Sequence, residues 1–298
     1  MTFFDEPEVP APSRAEAVCA LRYEDVSQDG RLTLLALPPV LGPALWQTRM
    51  VHDPLARALH REGVVPILDR FVIEGGEGPV SVSRPLAVAG RYDLAHTVDE
   101  RGAVDRILLR MWAQATAPRA RTHGAQPAGE GEPIFAGRVY AEHVFTRPFA
   151  PPAERKVLRL DYADGAPAVP ERRISWRSPD AVLVPPPGAV ALDPAPLADE
   201  APVVFGLHHT DSNQHVNSLV YPRLFQDAAL RRFAARGEDP RLSARALEIA
   251  YRKPCFAGER VCIFLKAYRL DNGLFAIGSF QTDERAKPHC TIRMRFEP

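Results

Sequence analysis

The sequence predicts an α+β protein in which one order of elements, a strand, a helix and then several antiparallel strands, occurs twice. Two stretches of helical period, 43–62 and 219–236, are each followed by runs of strand character broken by turn residues. Between the two series lies 185–202, which holds six prolines and reads as a stiff linker. The expected organisation is a disordered arm at 1–16, an N-terminal domain at 17–184, the linker at 185–202 and a C-terminal domain at 203–298. The repetition is one of element order, with little residue identity between the halves.

Each element has its own justification. The arm gathers four charged side chains and three prolines within residues 1–14 and has little to bury. Segments 17–23 and 32–37 read as strands around Ser27-Gln28-Asp29-Gly30, a strong turn signal. Helical spacing over 43–62 rests on Leu45, Met50, Leu55 and Leu59; Pro54 kinks or splits it, and Gly63 ends it. Strands follow at 64–73, 80–88, 92–98 and 104–115, with turns at Gly75-Gly76, Gly90 and Gly102. Residues 117–133, rich in Ala, Arg, Gly and Pro, read as a surface loop before strand character resumes at 134–149 and 156–162. In the second series a strand near Val203 precedes the helix, whose Tyr221, Leu224, Phe225, Ala228 and Phe233 share one face. Strands then follow at 247–252, 259–270, 274–282 and 289–296.

Composition excludes several classes. The 298 residues can bury a substantial core as one domain or two. Thirty-seven basic residues balance 37 acidic ones, which removes the global electrostatic case for nucleic acid or an anionic membrane. Cys19, Cys255, Cys262 and Cys290 lack C-x-x-C spacing, and no signal peptide precedes them. A cytoplasmic protein is expected, with neither disulfides nor a metal site and with no cofactor. No apolar run approaches the roughly 18 residues of a membrane span.

Chemistry concentrates in Asp211-Ser212-Asn213-Gln214-His215-Val216-Asn217. A carboxylate, carboxamides and an imidazole stand within seven residues, a dense set of groups able to move protons or orient water. The strand-like Val203-Val204-Phe205-Gly206-Leu207 precedes the run and the helix follows it, so the run reads as a strand-to-helix connection. Its side chains then gather near a helix N-terminus, where unpaired N–H groups favour a carbonyl or a developing oxyanion. Ser218 is the expected N-cap, and Pro222 fits in the first turn, where an amide hydrogen has no helical partner.

With Tyr221 four residues further on, this run resembles the D-x-N-x-H-V-N-N…Y signature of hotdog-fold acyl-ACP thioesterases, the family of the plant fatty-acyl enzymes and their bacterial relatives. Asp211, Asn213, His215, Val216, Asn217 and Tyr221 match the pattern. Ser218 replaces its second asparagine, Asp227 stands where the family usually has glutamate, and His209 stands where an aspartate often precedes. Tyr251-Arg252-Lys253-Pro254-Cys255 is similar to the family's Y-R-R-E-C strand, with Cys255 kept and Pro254 at the glutamate position. The resemblance implies a tandem (double) hotdog, each half an antiparallel sheet wrapped around a long helix, with the first half shaping an acyl pocket and a single active centre in the second. It implies hydrolysis of an acyl thioester, carried on coenzyme A or on the phosphopantetheine of an acyl carrier protein, by a monomeric pseudo-dimer or a homodimer.

The catalytic candidates are Asp211, Asn213 and His215, and the substrate-binding candidates are Asn217, Tyr221 and Cys255. Asp211 would activate water as a general base or attack directly to give a mixed anhydride. Asn213 would fix the water or polarise the carbonyl, and His215 would transfer a proton or donate as a neutral imidazole. Each also has a structural reading: an Asx cap, a turn residue, a satisfied buried histidine, a helix cap at Asn217 and a core thiol at Cys255. Glu248 could add a second carboxylate, while His52, Asp53 and His60 read as the solvated face of a charged helix. Arg231, Arg232, Arg236, Arg241 and Arg245 could meet phosphates or an acidic carrier protein, or form ordinary surface. Two alternatives stay open, a double-hotdog dehydratase or hydratase and a noncatalytic acyl-binding protein. Spacing weighs against the first: a hydratase signature D-x-N-P-x-H puts histidine five residues after aspartate, whereas His215 follows Asp211 by four. His60-x-x-Gly63-x-x-Pro66 likewise has the wrong intervals for H-x-x-x-G-x-x-x-x-P.

Overall fold

The computed structural model describes residues 8–162, 167–239, 241–271 and 273–297. The chain divides into two compact units, Met1–Arg177 and Ser178–Pro298. The first seven residues of the expected arm lie outside the described residues. The rest of it is ordered as a 3-10 turn, Ala11–Ser13, and the start of the first strand.

The first unit is an antiparallel sheet of β1 (Arg14–Cys19), β2 (Val65–Gly75), β3 (Leu86–Val98), β4 (Val104–Pro118) and β5 (Pro133–Thr146), in the order β1-β3-β4-β5-β2. The long helix expected between β1 and β2 does not form. Its place is taken by 3-10 turns at Leu34–Ala36, Pro38–Val40 and Met50–His52, a π turn at Gly42–Trp46, and one short helix, α1 (Pro54–Arg61). The reason lies in the sequence. Pro54, in the middle of the expected helix, has no amide hydrogen and crowds the preceding turn, so no i→i−4 ladder runs through it, while Pro38 and Pro39 lie ahead of that stretch in the 3-10 turns. Segment 32–37, expected as a strand, opens this series instead. The split at Pro54 is as the sequence predicts: Asp53 caps α1, its Oδ1 accepting from the amides of Leu55 (2.8 Å) and Ala56 (3.3 Å).

Two strand expectations in this unit are also corrected. Segments 80–88 and 92–98 were to be separate strands turning at Gly90, but β3 runs straight through that residue. Gly90 answers a close approach: a Cβ there would lie 3.0 Å from Leu45 Cγ and 3.1 Å from Ala44 Cβ on the π turn. Segment 156–162 contributes one bridge, Lys156 to Thr146. At Gly102 the turn is as expected, with φ +81.

The second unit starts ahead of the expected linker. A 3-10 turn, Pro179–Leu183, is held to it by Thr291 Oγ1, which donates to the Pro179 carbonyl at 2.7 Å, and by an Asp180–Arg252 ion pair. The proline-rich stretch carries β6 (Val190–Ala191) and β7 (Leu197–Ala198), each paired with β10 (Arg260–Leu270). Asp193, between them, is buried and accepts from the Ala267 amide (2.8 Å) and from Arg232 and Arg236 (2.6 Å) on α2 (Val220–Ala234). Burial pushes this carboxyl up, but the donors from Arg232, Ala267 and Arg236 outweigh it and hold it below the ordinary carboxylate value. Arg231 pairs with Asp199, and Arg241 with Asp239. Much of the basic stretch therefore fastens neighbouring chain.

The sheet of this unit runs β9 (Ser243–Tyr251), β12 (Cys290–Glu297), β11 (Gly273–Gln281), β10, β6, with β7 and β8 (Val203–Val204) also on β10. The helix α2 buries Tyr221, Phe225, Ala228, Ala229 and Phe233. Gly278 of β11 makes room for it, since a Cβ there would lie 2.8 Å from the Phe225 ring. Among the described residues no helix is long and apolar enough to cross a membrane.

Candidate active site

The short strand β8 delivers the chain to the polar run, with Val203 opposite Val261 and Val204 opposite Arg260. Phe205 then plunges into the core, its ring 5.8 Å from those of both His209 and Tyr221. One 3-10 turn, Leu207–His209, follows, in which the Gly206 amide donates to His209 Nδ1 at 3.1 Å. The next residues close into a loop. Thr210 bridges to Val216, the Asp211 amide donates to the His215 carbonyl (3.2 Å), and the Gln214 amide donates to the Asp211 carbonyl (2.9 Å). So tight a loop needs a left-handed residue, and Gln214 supplies it at φ 63. Amide bonds from Val216 to the Cys255 carbonyl (2.8 Å) and from Asn217 to the His209 carbonyl (2.9 Å) anchor its end.

Within the loop the half-buried Asp211 carboxylate is fixed from two sides. Oδ1 accepts the Asn213 amide at 2.9 Å, an Asx turn, and Oδ2 accepts Asn217 Nδ2 at 3.0 Å. The Asn217 carboxamide also reaches forward, its Oδ1 accepting the Leu219 amide at 2.9 Å. Asn217 thus holds the turn that leads into α2, whose N-cap position falls at Leu219 with no side-chain cap, in place of the expected cap at Ser218. Ser218 instead presents its carbonyl to Tyr251 Oη, which donates at 2.8 Å. Pro222 falls in the first turn of the helix, as predicted.

The remaining candidates surround this group. Asn213 keeps an exposed side chain beside the carboxylate. His215 is half-buried with Nδ1 3.3 Å from the Val216 carbonyl, and among the described residues no hydrogen bond joins its ring to Asp211. Tyr221 is buried and its Oη accepts the Cys255 amide at 3.2 Å, with burial raising the phenol so that it stays protonated. Cys255 is fully buried, its Sγ 3.0 Å from His289 Nδ1. Burial pushes that thiol up to about 11 and lowers the His289 imidazole. Glu248 is no second carboxylate for the loop: it is fully buried on β9 and accepts from Arg293 Nε at 2.7 Å. Asp227 sits on the exposed side of α2.

Sequence reasoning did not find His289, which lies 34 residues beyond Cys255 and meets it only through the sheet. It also gave the first unit too little. A largely apolar cavity of about 810 Å³ lies there, bordered by Trp46, Leu55, Leu94 and Leu109, with Asp53 at its wall, while His52 and His60 are exposed, as the solvated-face reading has it. Tyr92 donates to Asp53 Oδ2 across it at 3.3 Å, and burial together with that carboxylate pushes the phenol up to about 12.

The whole chain has counterparts among solved structures. It is similar to an acyl-ACP thioesterase of Bacteroides thetaiotaomicron, with 17% identity and a TM-score of 0.56 over 96% of this chain and 98% of that one. It is also similar to the 12:0-ACP thioesterase of Umbellularia californica, with 13% identity and a TM-score of 0.58 over 96% of this chain and 94% of that one. At these identities the likeness establishes a shared fold. No family model matches the chain, and no curated protein matches its sequence.

Proposed function

We propose that the protein hydrolyses an acyl thioester to a free acid and a thiol, and that the 210–217 loop is its active centre. The observation that carries this reading is the Asp211 carboxylate, half-buried and oriented by bonds from the Asn213 amide and the Asn217 carboxamide. A simple cap needs one such bond and no flanking amide or imidazole. Each carboxylate oxygen retains acceptor capacity, enough to hold a water and take its proton.

In this mechanism Asp211 removes a proton from water as the oxygen attacks the thioester carbonyl. The tetrahedral oxyanion meets the Asn213 carboxamide and the His215 ring as donors. Collapse breaks the carbon–sulfur bond, and the leaving thiolate takes back the proton held by Asp211. A direct attack by Asp211 would differ in passing through an acyl–aspartyl anhydride that water then opens. Asn217 and Tyr221 hold the loop in register.

Each unit is read as one hotdog copy, the first with its helix broken by prolines. The cavity of the first unit has the size and apolar lining of a small-molecule pocket. An acyl carrier protein is the preferred donor, since both solved structures described above are named for that substrate.

The test is thiol release by the purified chain from two series of fatty acyl thioesters of graded length, one on coenzyme A and one on acyl carrier protein. Turnover is expected, with the higher kcat/KM in the carrier-protein series. Stabilisation of the protein by a nonhydrolysable analogue with no release in either series would overturn the reading in favour of a binding protein.

A further inference from the structure

We propose that Cys255, Glu259 and His289 form a binding site for one divalent cation of the zinc class. Cys255 and Glu259 lie on the connection from β9 to β10, and His289 immediately precedes β12. One ligand atom from each falls within 4.8 Å of the other two. The thiol and imidazole are already in contact, with Sγ 3.0 Å from Nδ1 and both residues buried. A tetrahedral zinc ion, with bonds of about 2.3 Å to sulfur and about 2.0 Å to nitrogen, sets those atoms about 3.5 Å apart. The pair therefore has to open by only about half an ångström to admit it. Glu259 is partly exposed and gives the ion a route from solvent; its Oε2 accepts the Phe256 amide at 3.0 Å, which fixes the carboxylate's position.

The donor set selects the metal class. One thiolate, one imidazole and one carboxylate favour a borderline-soft ion such as zinc(II) or cobalt(II) over magnesium or calcium, which want oxygen alone. On binding, the thiol proton leaves to solvent, and the imidazole offers the Nδ1 lone pair with its hydrogen on Nε2, exchanging the 3.3 Å contact of Nδ1 with the Pro254 carbonyl for the ion. Two negative ligands then neutralise the ion in a buried place where an isolated charge could not stand. The site lies directly beneath the 210–217 loop, because the Cys255 carbonyl accepts the Val216 amide and the Cys255 amide donates to Tyr221 Oη. The ion braces that loop and takes no part in the chemistry. Cysteine spacing carried no sign of it, since only one ligand is a cysteine and the histidine arrives from another strand.

The experiment uses the full chain, stripped with chelator and titrated with cobalt(II) and then zinc(II). The expected result is one cobalt ion bound per chain with a thiolate-to-cobalt charge-transfer band, displacement of that band by zinc, and a higher unfolding midpoint with either ion. Cys255→Ser should abolish the band, and Glu259→Gln, a change outside the core, should weaken binding at least about tenfold, the scale of a disturbed metal shell. A wild-type titration without the band, a band that survives Cys255→Ser, or unchanged affinity in Glu259→Gln would overturn the site. Should Cys255→Ser fail to fold, the wild-type spectrum and the Glu259→Gln affinity decide. None of these readouts depends on thioester turnover, so failure here leaves the hydrolase reading untouched.

Discussion

Asp211→Asn should lower the kcat for thioester hydrolysis by about a hundred- to ten-thousandfold, the range attributed to a positioned general base, with KM little changed. The substitution keeps the size of the side chain and an oxygen to accept the Asn213 amide, which is 2.9 Å away in the native loop. What it removes is basicity. It also turns an NH2 group toward Asn217 Nδ2, which now donates to Asp211 at 3.0 Å. That lost bond is worth about 1 kcal/mol of stability, so the circular dichroism spectrum should be unchanged and the unfolding midpoint only slightly lower. Retention of more than a tenth of wild-type kcat in a folded Asp211→Asn protein would reduce Asp211 to a turn cap. Asn217→Ala separates the two roles from the other side. It leaves the carboxylate in place and removes both the bond to Asp211 and the bond from the Leu219 amide, so it should lower stability and kcat together.

Glu248→Ala should destabilise the protein by about 3–5 kcal/mol, the cost of leaving a buried charge without its partner. Glu248 is fully buried, and Arg293, directly opposite it in the β9–β12 register, is nearly so. Two bonds join them, from Arg293 Nε at 2.7 Å and from Nη2 at 2.5 Å. The companion prediction is that Glu248→Leu combined with Arg293→Met recovers most of the loss, because removing both charges also removes both desolvation penalties. Urea unfolding of the wild type, Glu248→Ala and the double variant checks the pair. A Glu248→Ala loss below about 1 kcal/mol would make the pair an ordinary surface contact in energy. The same variants bear on the proposed function: folded Glu248→Leu/Arg293→Met protein should hydrolyse thioesters at the wild-type rate, since this carboxylate belongs to the sheet.

What could be read from the sequence was whatever the sequence stores locally. The last three strands of the second unit follow period-2 or continuously apolar runs, and α2 follows the spacing of Tyr221, Phe225, Ala228 and Phe233, so each was found within two residues of its observed bounds, whereas β9 starts four residues ahead of the expected 247. In the first unit the apolar spacing of 43–62 suggested a long helix because periodicity weighs side chains, whereas Pro54 acts on the backbone ladder and leaves only the short α1 after it. Gly90 was ambiguous in principle: glycine serves a turn or a close approach equally well, and only the packing of Leu45 and Ala44 decides. The proline-rich stretch hid β6 and β7 because two-residue pairings have no period. They are held by Asp193 reaching arginines about forty residues away.

The candidate site divides in the same way. The density of polar groups at 211–217 was plain, and so was their position ahead of a helix. How the helix begins was not, because Ser218 is a good cap in type, yet the N-cap position falls at Leu219 and Asn217 spends its side chain on the turn before it, between Asp211 and the Leu219 amide. His289 had no local signal at all, since its meaning comes from a sulfur 34 residues away.

The most direct test of the hydrolase account is to locate a bound substrate carbonyl. A ketone analogue of an acyl-phosphopantetheine thioester, with methylene in place of sulfur, can be crystallised with the wild-type chain. The predicted result is a carbonyl carbon within about 3.5 Å of an Asp211 carboxylate oxygen, or of a water that Asp211 holds, the separation of a near-attack arrangement. A fully occupied analogue whose carbonyl lies beyond reach of every side chain in the 210–217 loop would contradict it.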